Sequence, residues 1–193
     1  MRVKRRSLWA LPVIVGSVMI IAALVLSVCW QMSIRAAPKK YERLITAVSE
    51  QIPQPYSAAP EARSDNSMPV LSVEENDLIG VLDMPGINVK LPISAEWDRK
   101  MQLPCVHSGS IYDGSMVIDA TTQTGQFEGY RSINVGDAVS FTDMTGARYA
   151  FKVTNIVHTD DRDEYVKGES TKLVIAIKNL YAFEHVMIEC DNN

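Results

Sequence analysis

No Asp, Glu, Lys or Arg occurs between Arg6 and Arg35, and residues 8–30 are almost wholly apolar. The run is 23 residues long, and at about 1.5 Å per residue a helix of that length crosses a hydrocarbon core of about 30 Å. A cleaved signal peptide would carry a shorter core of roughly 7–15 apolar residues before small residues at a cleavage site. No A-x-A site follows here, so the run reads as an uncleaved transmembrane anchor behind a short basic tail, residues 1–7. Trp9 and Trp30 stand at its two edges, where interfacial aromatics sit. Arg2, Lys4, Arg5 and Arg6 are balanced by Arg35, Lys39, Lys40 and Arg43, which leaves the positive-inside rule only a lean toward a cytoplasmic N terminus.

Charge divides the chain the same way. Residues 1–69 hold nine Lys and Arg against four Asp and Glu, a balance of +5, while residues 70–193 hold ten against nineteen, a balance of −9. An acidic body argues against a nucleic-acid partner. Residues 31–69 join the two parts. Tyr41, Leu44, Ile45 and Val48 are spaced for a short juxtamembrane helix, or for a frayed spacer, and residues 53–69 are a Pro-, Ala- and Ser-rich linker. From residue 70 onward the pattern is β. Strands are expected at 78–82, 87–93 (with Pro92 marking an edge or terminal piece), 110–112, 116–120, 138–142, 148–157, 173–177 and 186–188. A helical turn is expected at 127–133, and Asp143-Met144-Thr145-Gly146 reads as the tip of a hairpin. About eight strands with little helix between them favour a closed or nearly closed antiparallel barrel, which hides strand edges.

The segment IGVLDMPGINVKLPI (79–93) resembles the opening strands of sortases, the membrane-anchored cysteine transpeptidases of Gram-positive bacteria. The likeness continues through Glu96-Trp97, Pro104-Cys105, Ser108-Gly109-Ser110, Met116-Val117-Ile118, Phe127, Val135-Gly136-Asp137 and FTDMTG (141–146), and it covers residues 78–190. The E-W, P-C and S-G-S series is similar to that of clostridial sortases. The resemblance implies a sortase-like β-barrel of residues 70–193, lying outside the cell on its single anchor.

It also implies a site. A sortase uses a Cys at the end of the penultimate strand as nucleophile, a His as acid and base, and an Arg on the last strand to hold the oxyanion or the substrate. A thiol without a positioned proton partner and oxyanion donor is a poor acyl-transfer catalyst. In this chain the His slot of the resemblance falls on Thr121, the Cys slot on Lys178 and the Arg slot on His185, and no Cys lies between Cys105 and Cys190. All three catalytic types are replaced. If the likeness holds, Thr121 and Lys178 are neighbours, with Lys178 paired to Asp119 or another acid.

The other candidates have plain readings. Cys105 and Cys190 read as buried thiols whose pairing stays open, since three cysteines form neither a disulfide framework nor a metal motif. His107 and His158 have no matched partners in sequence and read as surface or structural. Asp160, Asp161, Asp163 and Glu164 form an acidic run where some sortases bind calcium; without EF-hand spacing such a run is solvated surface. No cofactor is expected. Two functions follow from different classes. One is a catalytically inactive sortase homologue whose groove binds a surface-protein sorting signal, a pilin or an intact sortase. The other is a transpeptidase or hydrolase working through non-standard residues such as Thr121, Lys178 or His185.

Overall fold

The computed structural model describes residues 10–58, 67–97, 102–122, 125–159, 171–179 and 184–192, with the side chains of 10–12 and 30–37 left aside. The chain divides into two compact units, Met1–Ala36 and Ala37–Asn193. Helix α1, Ala10–Gln51, runs through the division and carries Pro38 in its interior. In the first unit its described side chains, from Val13 to Leu26 among others, are apolar and exposed. Ser17 returns its hydroxyl to the Val13 carbonyl at 2.8 Å, so this polar group is satisfied inside the helix. Among the described residues no helix is long and apolar enough to cross a membrane.

In the second unit the helix belongs to the core. Tyr41, Leu44 and Val48, three and four residues apart, are buried in the main apolar cluster, and the Tyr41 hydroxyl donates to the Gln102 carbonyl at 3.0 Å. Residues read as a juxtamembrane helix or spacer are therefore a packed face. The expected linker also contributes structure, since Tyr56–Ala58 forms strand β1. A second short strand, β2 (Leu71–Val73), follows. The barrel itself consists of β3 (Asn76–Met84), β4 (Val89–Ser94), β5 (Cys105–Ser108), β6 (Met116–Thr121), β7 (Ala138–Asp143), β8 (Ala147–Thr159), β9 (Leu173–Asn179) and β10 (Glu184–Asn192).

Around the barrel the order is β3, β4, β5, β6, β9, β10, β8, and β7 closes the circuit by pairing with both β8 and β3. Eight strands close, as expected, while β1 extends from β8 and β2 from β3. The expectation of an antiparallel barrel needs correction. The β6–β9, β4–β5 and β1–β8 pairs are parallel. After β6 the chain forms the β7–β8 hairpin on the far side and re-enters beside β6 in the same direction.

Strand β8 shows how the sequence makes the wall. Ala147, Tyr149, Phe151 and Val153 face inward while Arg148, Ala150, Lys152 and Thr154 are exposed, the period-two alternation of a half-buried strand. Two boundaries differ from expectation. The strand expected at 110–112 is a turn, and its place is taken by β5 five residues earlier. Ser110 Oγ accepts from the Tyr112 amide at 3.2 Å and Asp113 Oδ1 from the Ser115 amide at 2.9 Å, local bonds that compete with a ladder. β4 starts at Val89 and not at 87, because Pro85–Ile87 is a 3-10 turn ended by Asn88 at φ 53°.

Candidate functional site

Three adjacent strands bring into one line the positions to which the resemblance assigns the catalytic slots. Thr121 on β6 lies opposite Lys178 on β9, and Lys178 lies opposite His185 on β10. Cross-strand partners point to the same face of a sheet, so Thr121, Lys178 and His185 share the outer face near the ends of their strands. The inner face is core, with Ala120, Ile177 and Val186 buried. Thr121 is buried; Lys178 and His185 are half-buried. The Thr121 hydroxyl donates to the Lys178 carbonyl at 3.2 Å. The Thr122 amide donates to the same carbonyl at 3.2 Å, and the Thr121 amide to Gln126 Oε1 at 3.2 Å. Thr122 Oγ1, next to this junction, is buried without a hydrogen-bond partner. The expected contact between Thr121 and Lys178 is present.

The expected ion pair between Lys178 and Asp119 is not. Asp119, two residues before Thr121 on the same face, engages His107 instead, with Oδ2 lying 3.0 Å from Nδ1. A register shift between Val106 and Ser108 makes His107 the extra residue of a bulge, and bulges re-aim side chains. That local irregularity gives His107 a partner that its position in the sequence does not suggest.

A second polar group occupies the opposite face at the same strand ends. Glu184, opposite Asn179, receives His158 Nδ1 on Oε1 at 2.7 Å and the Tyr130 hydroxyl on Oε2 at 3.1 Å. Arg131 Nη2 stands 3.7 Å from Oε2 and lies over the Tyr130 ring. Asn179 Nδ2 donates to the Tyr130 hydroxyl at 2.9 Å. The hydrogen bond with His158 holds the Glu184 carboxyl below its ordinary value, and the Tyr130 hydroxyl and the charges of His158 and Arg131 act in the same direction against partial burial. His158, read as surface or structural with no partner visible in sequence, takes a structural role here. Its partners' separation in sequence, 26 residues to Glu184, left no local signal.

Neither thiol of the barrel fits the role of nucleophile. Cys190 lies in the core cluster, and burial, followed by the charge of Glu189, pushes its thiol up to about 12. Cys105 is also buried, and no disulfide joins the two. Asp160, Asp161, Asp163 and Glu164 lie outside the described residues. Among the described residues no group of three or more His, Cys, Asp or Glu could hold a metal ion.

A closed eight-stranded barrel with a parallel β6–β9 pair is the sortase fold. A sortase D5 transpeptidase from Clostridium perfringens superposes with a TM-score of 0.52 at 15% identity, over 61% of this chain and 81% of that one. A sortase C of the same organism, crystallised with a C-terminal cell wall sorting motif, gives 0.52 at 21% identity over 67% and 78%. Sortase C1 from Streptococcus agalactiae gives 0.50 at 18% identity over 63% and 70%. No protein-family model and no curated protein matches the sequence.

Proposed function

We propose that this chain is a membrane-anchored, extracytoplasmic sortase-fold protein that binds a partner segment and does not carry out cysteine transpeptidation. One observation carries the reading. The line Thr121, Lys178, His185 stands in register across β6, β9 and β10, and at the positions to which the resemblance assigns His, Cys and Arg it holds no thiol. Acyl transfer through cysteine requires a thiolate, and the thiol of the terminal strand pair faces the core at about 12. The charge-free stretch between Arg6 and Arg35 supports the anchor. The partner is a surface-protein sorting signal, a pilin or an intact sortase.

A second reading, a hydrolase or transpeptidase with other residues, draws on the His107–Asp119 pair. A carboxylate on Nδ1 leaves Nε2 for proton transfer, and Thr121 offers a hydroxyl on the same face. Against it, that hydroxyl is buried and its proton is directed to the Lys178 carbonyl at 3.2 Å. The two are separated by incubating the full chain with sorting-signal peptides and an amine acceptor and following products by mass spectrometry. No cleavage or transfer is expected. Turnover that survives Cys105→Ala with Cys190→Ala, and is abolished by Lys178→Met, Thr121→Val or His107→Ala, would establish the enzyme instead.

A further inference from the structure

We infer that Lys178 is a receptor for a carboxylate, and that the segment bound on this face presents a free carboxylate, its own C terminus or an acidic side chain, to this ammonium. The inference rests on the reading of the Thr121–Lys178–His185 line as a binding site. Its starting point is charge. Residues 70–193 carry nineteen acidic side chains against ten basic ones, so a cation on the barrel has an abundance of possible partners. The described ion pairs nevertheless join His107 to Asp119 and Arg131 and His158 to Glu184. Lys178 has neither an ion pair nor a side-chain hydrogen bond among the described residues.

Register explains why the described acids nearest in the sheet do not reach it. Asp119 shares the face of Lys178 but engages His107 at 3.0 Å. Glu184 is the residue beside His185, yet alternation turns it to the opposite face, where His158 and Arg131 occupy it. On β10 the register partner of Lys178 is His185, whose imidazole brings no negative charge. On β6 its register partner is Thr121, whose hydroxyl is already given to the Lys178 carbonyl. A half-buried ammonium is only partly hydrated, and an anion placed on this face meets it without displacing an internal carboxylate. A neutral or cationic segment gains nothing there. The net negative charge of residues 70–193 lowers the affinity of an anion for the domain's surface in general and so sharpens the preference.

The test uses the full chain in detergent micelles, labelled with ¹⁵N on lysine, threonine and histidine. Two probes are titrated at low salt: acetyl-tetra-alanine as the free acid, and the same peptide with a C-terminal amide. The free acid is expected to shift the amides of Thr121, Lys178 and His185, and the amide form to bind about tenfold more weakly or worse. Lys178→Met should remove the difference between the probes, whereas Lys178→Arg should retain it. Equal shifts with acid and amide would overturn the carboxylate inference while leaving a binding face. Shifts confined to residues outside the line, or none at all, would overturn it too. Cleavage of either probe, visible in the same spectra, would instead bring down the non-catalytic reading.

Discussion

The Tyr112 hydroxyl donates to Asp143 Oδ2 at 2.9 Å, joining two turns that lie 31 residues apart. Asp143 is fully buried. Its other oxygen accepts from the Thr145 amide at 2.9 Å, the Thr145 hydroxyl at 2.6 Å and the Ala147 amide at 3.0 Å. Gly146 completes the turn at φ 84°, a conformation that favours glycine. Asp143→Ala strands these buried donors, so the loss is expected to reach about 3 kcal/mol or more. Tyr112→Phe removes one donor from a carboxylate that keeps three, and should cost about 1 kcal/mol. Urea midpoints followed by tryptophan fluorescence check both; equal losses for the two variants would contradict this account.

The helix that enters the core leads to a prediction about fragments. Tyr41, Leu44 and Val48 are buried with the barrel's own apolar residues. Leu44→Ala should therefore cost about 2–5 kcal/mol, as at other core sites. A fragment beginning at Ala37 should unfold cooperatively, and one beginning at Val70 should melt well below it. Indistinguishable melting curves for the two fragments would show that the helix adds nothing to the barrel.

Glu184 makes stability depend on acid pH. Its folded value lies below the ordinary 4.5, so its contribution is whole above that value and is lost as pH falls through the folded one. The stability difference between the native chain and Glu184→Gln should shrink as pH is lowered from about 5.5 to about 3. Denaturation midpoints across that range measure it. A difference that stays constant or grows on acidification is incompatible with the assigned direction.

The buried thiols should be chemically silent. Burial holds Cys190 at about 12, so it presents no thiolate near neutral pH, and Cys105 is buried out of reach of a reagent. Mass spectrometry after iodoacetamide treatment should find both unmodified in the folded chain and both alkylated in urea. Rapid labelling of Cys190 without denaturant would reopen the case for a cysteine nucleophile.

The proposed topology has its own check. Protease added to intact protoplasts should digest the barrel and spare the anchor. Protection of residues 70–193 until the cells are lysed would place the domain on the other side of the membrane.

Much of the barrel was legible from local pattern. Period-two alternation marks β8, short β-branched runs mark β6 and β9, and the Asp143–Gly146 turn announces its hairpin, because each of these signals acts within a few residues. That Thr121 and Lys178 are neighbours was also legible, since a resemblance that runs through residues 78–190 counts along the chain. What the sequence could not decide were contacts made across long separations. His107 finds Asp119 through a bulge, and His158 finds Glu184 across 26 residues. Lys178 lacks the pair with Asp119 that proximity in the sheet suggested, because His107 takes that carboxylate first. The face on which Glu184 points, and the burial of Tyr41, Leu44 and Val48 against the barrel, depend on register and packing. Those are settled only when the strands close, since a side chain's partners are then fixed by which face it shares and not by its place in the chain.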